Sequence, residues 1–369
     1  MALKVLQLLP ALHEGGVERG TLEICEALTS RGHEAVVVSA GGRLVESLDS
    51  LGTEHIDWPI GKKSPLTLRW VPRLRRLFTQ ARFDIVHARS RVPAWVAYLA
   101  WRGLPEDTRP RFMTTVHGLY SVNCYSAIMT RGERVIAVSE TIRHYLEKNY
   151  PKLDSTRVRV INRGVDSAEY PRGYQPSDHW RERWKSQHPE LRNKFVVLLP
   201  GRLRRLKGHD TLLKLVAALV AEGQPIHALI AGDDSTGTDY INQLKSRVEN
   251  EALPVTFVGF RSDLKDLYRA VDVVLSLSTK PESFGRTVLE PLCLGTPVVG
   301  YSQGGVGEIL EHMFAQGAVP AGDVGALIDK VREFIKRPPA VTINNAFPLA
   351  SMQRDTIELY EQLAGARGG

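Results

Sequence analysis

Residues 3–40 read LKVLQLLPALHEGGVERGTLEICEALTSRGHEAVVVSA. The apolar run VLQLL (5–9) leads through Gly15-Gly16 into a stretch at helical spacing over 17–30. Arg31-Gly32 stops that stretch, and a second apolar run, EAVVVSA (34–40), follows. Two strands joined by a crossover helix lie parallel, and strands apolar on both faces need cover on both faces. The stretch therefore predicts a βαβ unit, and the fold class turns on whether the unit repeats.

It repeats along the chain. DIVHA (84–88), FMTTVH (112–117), RVIAVS (134–139) and RVRVI (157–161) continue the first series. The polar, Pro-containing segment 167–192, with a helix expected near 177–187, then reads as a linker. A second series follows in KFVVLLPG (194–201), HALIAG (227–232), VTFVGF (255–260), VDVVLSLS (271–278) and TPVVGY (296–301). Helices are expected between them at 207–222, 238–250, 262–269 and 285–294. The expected fold class is α/β, with two doubly wound domains at 1–166 and 193–349. A closing helix over 350–364 is expected to pack back on the first domain, with GARGG (365–369) frayed.

Composition limits the function classes. The 369 residues are 43% hydrophobic and 24% charged, as in an ordinary globular protein. Cys25, Cys124 and Cys293 stand in no metal-ligand spacing and suggest neither a disulfide framework nor a zinc site. The N-terminal apolar run is short, carries Lys4 and lacks a cleavage site, so it reads as a buried strand. No apolar run approaches the ~20 residues that span a bilayer, so a cytoplasmic protein, soluble or peripheral on the inner membrane face, is expected. The net charge of +7 lies entirely in the first half: residues 1–166 hold 24 Lys and Arg against 17 Asp and Glu. Aromatics are only 7% and no nucleic-acid module is visible, so no nucleic-acid partner is expected despite the basic balance.

In open α/β sheets ligands bind where strands end and helices begin, since free amides and the helix dipole favour anions there. After the first strand, Gly15-Gly16 either lets a ligand approach the backbone or only makes a turn. After the first strand of the second series comes GRLRRLKGHD (201–210). Arg202 and Lys207 either meet a diphosphate, as guanidinium fork and point charge, or form a solvated basic loop. After VDVVLSLS comes PESFGRTVLE (281–290), which puts Glu282 in the loop and Glu290 two turns into a helix. Two such acids can accept from two sets of hydroxyls, such as a ribose and a hexose, while Ser283, Phe284 and Gly285 offer amides to a phosphate. Read structurally, Glu282 is a helix-start acid and Glu290 a solvated one. Pro291 suggests a distorted helix, and apolar neighbours place Glu290 near the interior, where it needs partners.

Taken together, these residues resemble the retaining glycosyltransferases of family 4. The resemblance covers nearly the whole chain: Gly15-Gly16-Val17-Glu18, Thr115-Val116-His117-Gly118, Val138-Ser139-Glu140, Asn162 with Gly164-Val165-Asp166, Gly201-Arg202 to Lys207-Gly208, and Glu282 to Glu290 followed by Gly295-Thr296-Pro297-Val298-Val299. It implies the GT-B arrangement, two Rossmann-like domains facing each other across a cleft, and transfer of a hexose from a nucleotide sugar. By the resemblance, Glu290 binds the ribose, Glu282 the hydroxyls of the moving sugar, and Arg202 and Lys207 the diphosphate. Phe284 and Gly285 offer amides, Gly16 and His117 meet the donor from the first domain, and Phe260-Arg261 border the base. His117, Glu282, Arg202 and Lys207 are the expected catalytic set, without metal or other cofactor. Two departures stand out: Glu282-Ser283-Phe284-Gly285 replaces Glu-Gly-Phe-Gly, and Arg163 interrupts Asn-Gly-Val-Asp.

The expected donor is a UDP-sugar, with a GDP-sugar as second candidate. The expected acceptor is a glycan or glycolipid such as lipopolysaccharide core or another cell-envelope glycan. LTLRWVPRLRRLFTQAR (66–82) places Arg69, Arg73, Arg75 and Arg76 beside Trp70, Leu74, Leu77 and Phe78, with Pro72 near the helix start. It reads either as a helix on an anionic membrane or as a surface helix packed on the sheet. A nucleotide-sugar epimerase or phosphorylase-like enzyme would share the fold with different chemistry, and a basic nucleic-acid-binding protein is the remote alternative.

Overall fold

The computed structural model describes residues 2–365 other than Glu14, Thr236, Ile343 and Asn345; of the GARGG tail, 366–369 lie outside the described residues. The chain divides into two compact units, one of Met1–Gly164 with Leu349–Gly369 and one of Val165–Pro348.

The first unit contains β1 (Lys4–Leu8), α1 (Gly16–Ser30), β2 (Glu34–Ser39), α2 (Val45–Ser50), β3 (Glu54–Asp57), α3 (Trp70–Ala81), β4 (Ile85–Ala88), α4 (Arg91–Arg102), β5 (Arg111–Val116), β6 (Arg134–Ala137), α5 (Glu140–Asn149) and β7 (Val158–Val160). Its strands form one parallel sheet in the order β3-β2-β1-β4-β5-β6-β7, so the order reverses between β1 and β4. Leu6, Leu8, Val86 and Phe112 face one buried cluster, and Val5, Ile85 and Met113 face another, which is why these strands are apolar on both faces. The Val138-Ser139-Glu140 motif has a local cause: Ser139 caps α5 by accepting from the Ile142 amide at 3.2 Å.

The second unit contains α6 (Asp178–Gln187), β8 (Phe195–Pro200), α7 (His209–Ala221), β9 (Ile226–Ala231), α8 (Asp239–Asn250), β10 (Val255–Gly259), α9 (Leu264–Arg269), β11 (Val273–Ser276), α10 (Arg286–Leu294), β12 (Val298–Tyr301), α11 (Gly304–Met313), β13 (Ala318–Val319) and α12 (Val324–Lys336). Its parallel sheet runs β10-β9-β8-β11-β12-β13 and reverses order between β8 and β11. Both sheets are doubly wound, as the alternation of strand and helix predicts.

Segment 167–192 is not a free linker. Trp180 and Trp184 of α6 stack at 5.3 Å and are buried in the core of the second unit, because two indoles on one helix face hold more apolar surface than a solvated connection tolerates. Pro291 does not end α10, which continues to a left-handed Gly295 cap. The last helix, α13 (Leu349–Gly365), buries Met352, Ile357, Tyr360 and Leu363 with Ile24, Cys25 and Leu28 of α1.

Candidate active site

The loops after β8 and β11 flank the reversal in the second sheet, the place where open α/β sheets bind ligands. Lys207 from the first loop and Glu282 from the second meet there, Nζ to Oε1 at 2.8 Å. Ser278, two residues beyond β11, donates to the same Oε1, and Gln303 Nε2 donates to the Ser278 carbonyl at 2.7 Å. Arg202 is exposed in the same loop as Lys207, with no ion-pair partner among the described residues. Thus one carboxylate oxygen of Glu282 is committed to holding the loops together, and a cation stands uncommitted beside them.

Glycines make the approach close enough. Gly208 has φ 82°, and a Cβ there would run into the Leu277 carbonyl. At Gly304, φ 60°, a Cβ would lie 2.5 Å from the Glu282 carbonyl oxygen, and the Gly305 amide donates to that oxygen at 2.8 Å. The start of α11 thus clamps the Glu282 loop from behind. Gly285, φ 135°, caps α10, while the Phe284 ring turns into the core against Phe347, leaving its backbone rather than its ring for a ligand. Ser283 is half-buried.

Glu290 is not solvated: it is 6% exposed, receives Arg286 Nε at 3.2 Å on Oε1 and Tyr268 Oη at 3.4 Å on Oε2. Phe260 is half exposed beyond β10, and Arg261 is committed to Asp263 and lies over the Trp184 ring. Asp233 and Asp234 form a turn, the first accepting from the Ser235 amide and the second paired with Lys245 at 2.7 Å.

In the first unit, Gly16 opens α1 with nothing within 4 Å of an added Cβ, so packing within the unit does not explain the glycine. His117 follows β5. Its Nδ1 lies 2.7 Å from Arg163 Nη2, and its Nε2 is buried without a hydrogen-bond partner among the described residues. Burial first, then the charges of Arg163 and Arg89 and the neighbouring His87, hold the imidazole well below its ordinary pKa. Arg89 is itself buried, with Nε on Gln7 Oε1 at 2.7 Å, and His87 bridges Tyr360 Oη at 2.7 Å and Thr115 Oγ1 at 2.6 Å.

The sequence profile described as Glycosyltransferase Family 4 matches residues 14–169, and that described as Glycosyl transferases group 1 matches 180–347. A glycosyltransferase from Rickettsia africae ESF-5 is 30% identical, with a TM-score of 0.86 and 98% of each chain covered. The chain is a family 4 glycosyltransferase. Anabaena HepE, solved with UDP and glucose, shares the fold at 22% identity, TM-score 0.81, covering 98% of this chain and 100% of its own. The lipopolysaccharide core mannosyltransferase LpsB of Rhizobium meliloti is 28% identical over 234 residues, 62% of each chain.

Four features beside the sequence-predicted residues escape the sequence reading: Ser278, Gln303 and the Gly304-Gly305 clamp in the second unit, and the guanidinium at His117 in the first. The glycine doublet at a strand end carries the same signal as Gly15-Gly16 and is legible on that ground. Arg163 is visible only as an interruption of Asn-Gly-Val-Asp, and Ser278 and Gln303 carry no signal until the loops are folded.

Proposed function

We propose that this transferase moves a hexose with retention from a nucleotide sugar, UDP-linked by preference and GDP-linked as second candidate, to a glycan or lipid-linked glycan of the cell envelope, such as lipopolysaccharide core. The observation that carries the reading is the gathering of Arg202, Lys207 and Glu282 at the strand-order reversal of the second sheet. Breaking the anomeric bond leaves negative charge on the diphosphate and positive character on the sugar. Arg202, Lys207 and the amides at the start of α10 answer the first charge, and answer it more in the transition state than in the ground state. Glu282, with Oε2 uncommitted among the described residues, accepts from hydroxyls of the moving sugar. Glu290 is assigned to the ribose, Ser283, Phe284 and Gly285 to the phosphate and sugar, Phe260 and Arg261 to the base edge, and Gly16 and His117 to the donor from the first unit. The reading gives the cationic role to side chains and needs no metal ion.

The like-folded HepE has been solved with UDP-glucose, and LpsB is a mannosyltransferase of lipopolysaccharide core biosynthesis; both support the proposed substrate classes. A lipid-linked acceptor also suits the first unit. Lys62, Lys63, Arg69, Arg73 and Arg76 are exposed around Leu66 and Leu68, which are 72% and 52% exposed, and no acid occurs between Asp57 and Asp84. Such a surface fits an anionic membrane. Among the described residues no helix is long and apolar enough to cross one.

The test is a thermal-shift and donor-hydrolysis panel of UDP-, GDP-, ADP- and TDP-sugars in EDTA, with Glu290→Ala as control and the anomeric configuration of the product read by NMR. Stabilisation by one nucleotide class that vanishes in the control is expected. A chain indifferent to every donor overturns the proposal.

A further inference from the structure

Arg163 stands where the family resemblance leads one to expect the Asn-Gly-Val-Asp run uninterrupted, and its guanidinium is buried. Three elements enclose it. Its Nη2 is 2.7 Å from His117 Nδ1, its Nη1 is 3.8 Å from Met352 Sδ of α13, and Gly20 of α1 lies so close that any Cβ there would occupy the place of Nη1. Gly20 is a helical residue with no positive φ to accommodate, so the room for the guanidinium is what its missing side chain supplies.

A guanidinium carries only donors and keeps its charge at every pH relevant to folding. The nitrogen it meets must therefore be the acceptor. The lone pair of His117 is at Nδ1, the proton is at Nε2, and the ring is neutral. The titratable and charged groups facing the ring are Arg163, Arg89 and His87, with Tyr120, whose Oη accepts from the His117 amide at 3.3 Å. All three named bases oppose a second proton. The Nε2–H is buried and has no acceptor among the described residues, so it is the ring donor still to be satisfied.

We propose that Arg163 is a positioning residue that fixes His117 as the neutral tautomer with its proton on Nε2, so that His117 meets its ligand as a hydrogen-bond donor and not as a base. The ligand half rests on the assignment of His117 to the donor sugar above; the acceptor it would engage is a hydroxyl or ring oxygen. The proposal separates the roles of the ionisable groups: proton removal from the acceptor is left to a group other than His117.

The decisive experiment is two-bond proton–nitrogen NMR of the full chain labelled with nitrogen-15 histidine, with the His117 signals assigned from His117→Gln and followed between pH 8 and 5. The wild type is expected to show Nε2–H and no titration. Arg163→Met and Gly20→Ala, which remove or displace the guanidinium by independent routes, are expected to mix the tautomers and move the titration up toward the ordinary histidine range. Arg163→Lys is expected to restore part of the wild-type pattern. Gly20→Ala meets the guanidinium and no backbone, and the Tm of each variant is measured beside its spectrum so that a lost fold is told apart from a changed tautomer. A wild-type Nδ1–H or charged ring, or a spectrum unchanged in Arg163→Met, overturns the proposal. In turnover, Arg163→Met is expected to lose about tenfold in kcat/KM, with no further loss when combined with His117→Gln. Full activity of His117→Gln would overturn the ligand role of His117, while the spectrum alone decides the role of Arg163.

Discussion

Lys207 Nζ and Glu282 Oε1 lie 2.8 Å apart, joining the two loops on either side of the strand-order reversal in the second sheet. Their side chains are 26% and 24% exposed, so the pair contributes only about 0–1 kcal/mol to folding. Glu282→Gln is therefore expected to move Tm by no more than about 3 °C while lowering kcat by about 100-fold or more. A fall in Tm that accounts for the lost turnover would place Glu282 in the fold and not in the chemistry.

The loop that carries Lys207 depends on Gly208. Its left-handed φ and the Leu277 carbonyl against it both oppose a side chain, and the opposing atom is backbone. Gly208→Ala is expected to cost about 3 kcal/mol. Gly223, with φ 73° but open space around it, separates the two causes: Gly223→Ala is expected to cost about 1 kcal/mol, which urea unfolding of the two variants side by side measures.

The alternation of apolar runs and helical spacing made both sheets legible, because strands buried on two faces have no polar side to confuse the pattern. It failed where that condition failed. β3 carries Glu54 and Asp57 at the sheet edge and α2 is only six residues long, so neither stands out from a loop. Segment 167–192 was read from its polarity, and the two indoles that bury it occupy one helix face among eight more polar positions. In the site, the charged residues were legible from their place at strand ends. Their second partners were not, since Ser278, Gln303 and Tyr268 reach the acids only through folding, and Glu290 was placed near the interior only through its apolar neighbours.

Arg75 was grouped in the sequence with Arg69, Arg73 and Arg76, but its Nε and Nη2 reach the carbonyls of Ala100 and Leu99, each at 3.4 Å, at the end of α4. It satisfies helix-end acceptors and is not counted among the cations of the proposed membrane-facing surface. Replacing Arg69, Arg73 and Arg76 together by Ser is expected to weaken sedimentation with anionic vesicles about 100-fold, at about 1 kcal/mol for each cation. Arg75→Ser is expected to lower Tm and leave sedimentation unchanged. Equal sedimentation of all variants, or binding to neutral vesicles at the same level, would sink the membrane surface.

His209, the first residue of α7, is fully buried beside the Tyr240 ring, and burial holds its pKa down to about 4 against the opposing effect of Asp210. The unfolded chain binds a proton at this position below about pH 6.5, whereas the folded chain stays neutral until about pH 4. The unfolded state thus holds more protons throughout that window, and stability falls as pH falls through it, by about 1.4 kcal/mol for each pH unit. Below the folded value both states are charged and the loss stops growing. At pH 7.5 the residue contributes no slope. His209→Gln is expected to remove about 2.5 kcal/mol of the acid loss between pH 7 and 4.5 from the unfolding of the second unit. The slope of the first unit, to which His55, His87 and His117 contribute through values also lowered by burial, is expected to remain. Urea unfolding at pH 7 and 4.5, followed by amide hydrogen exchange of peptides from the second unit, measures the difference; an identical pH slope in wild type and variant would show that His209 is not held neutral by its burial.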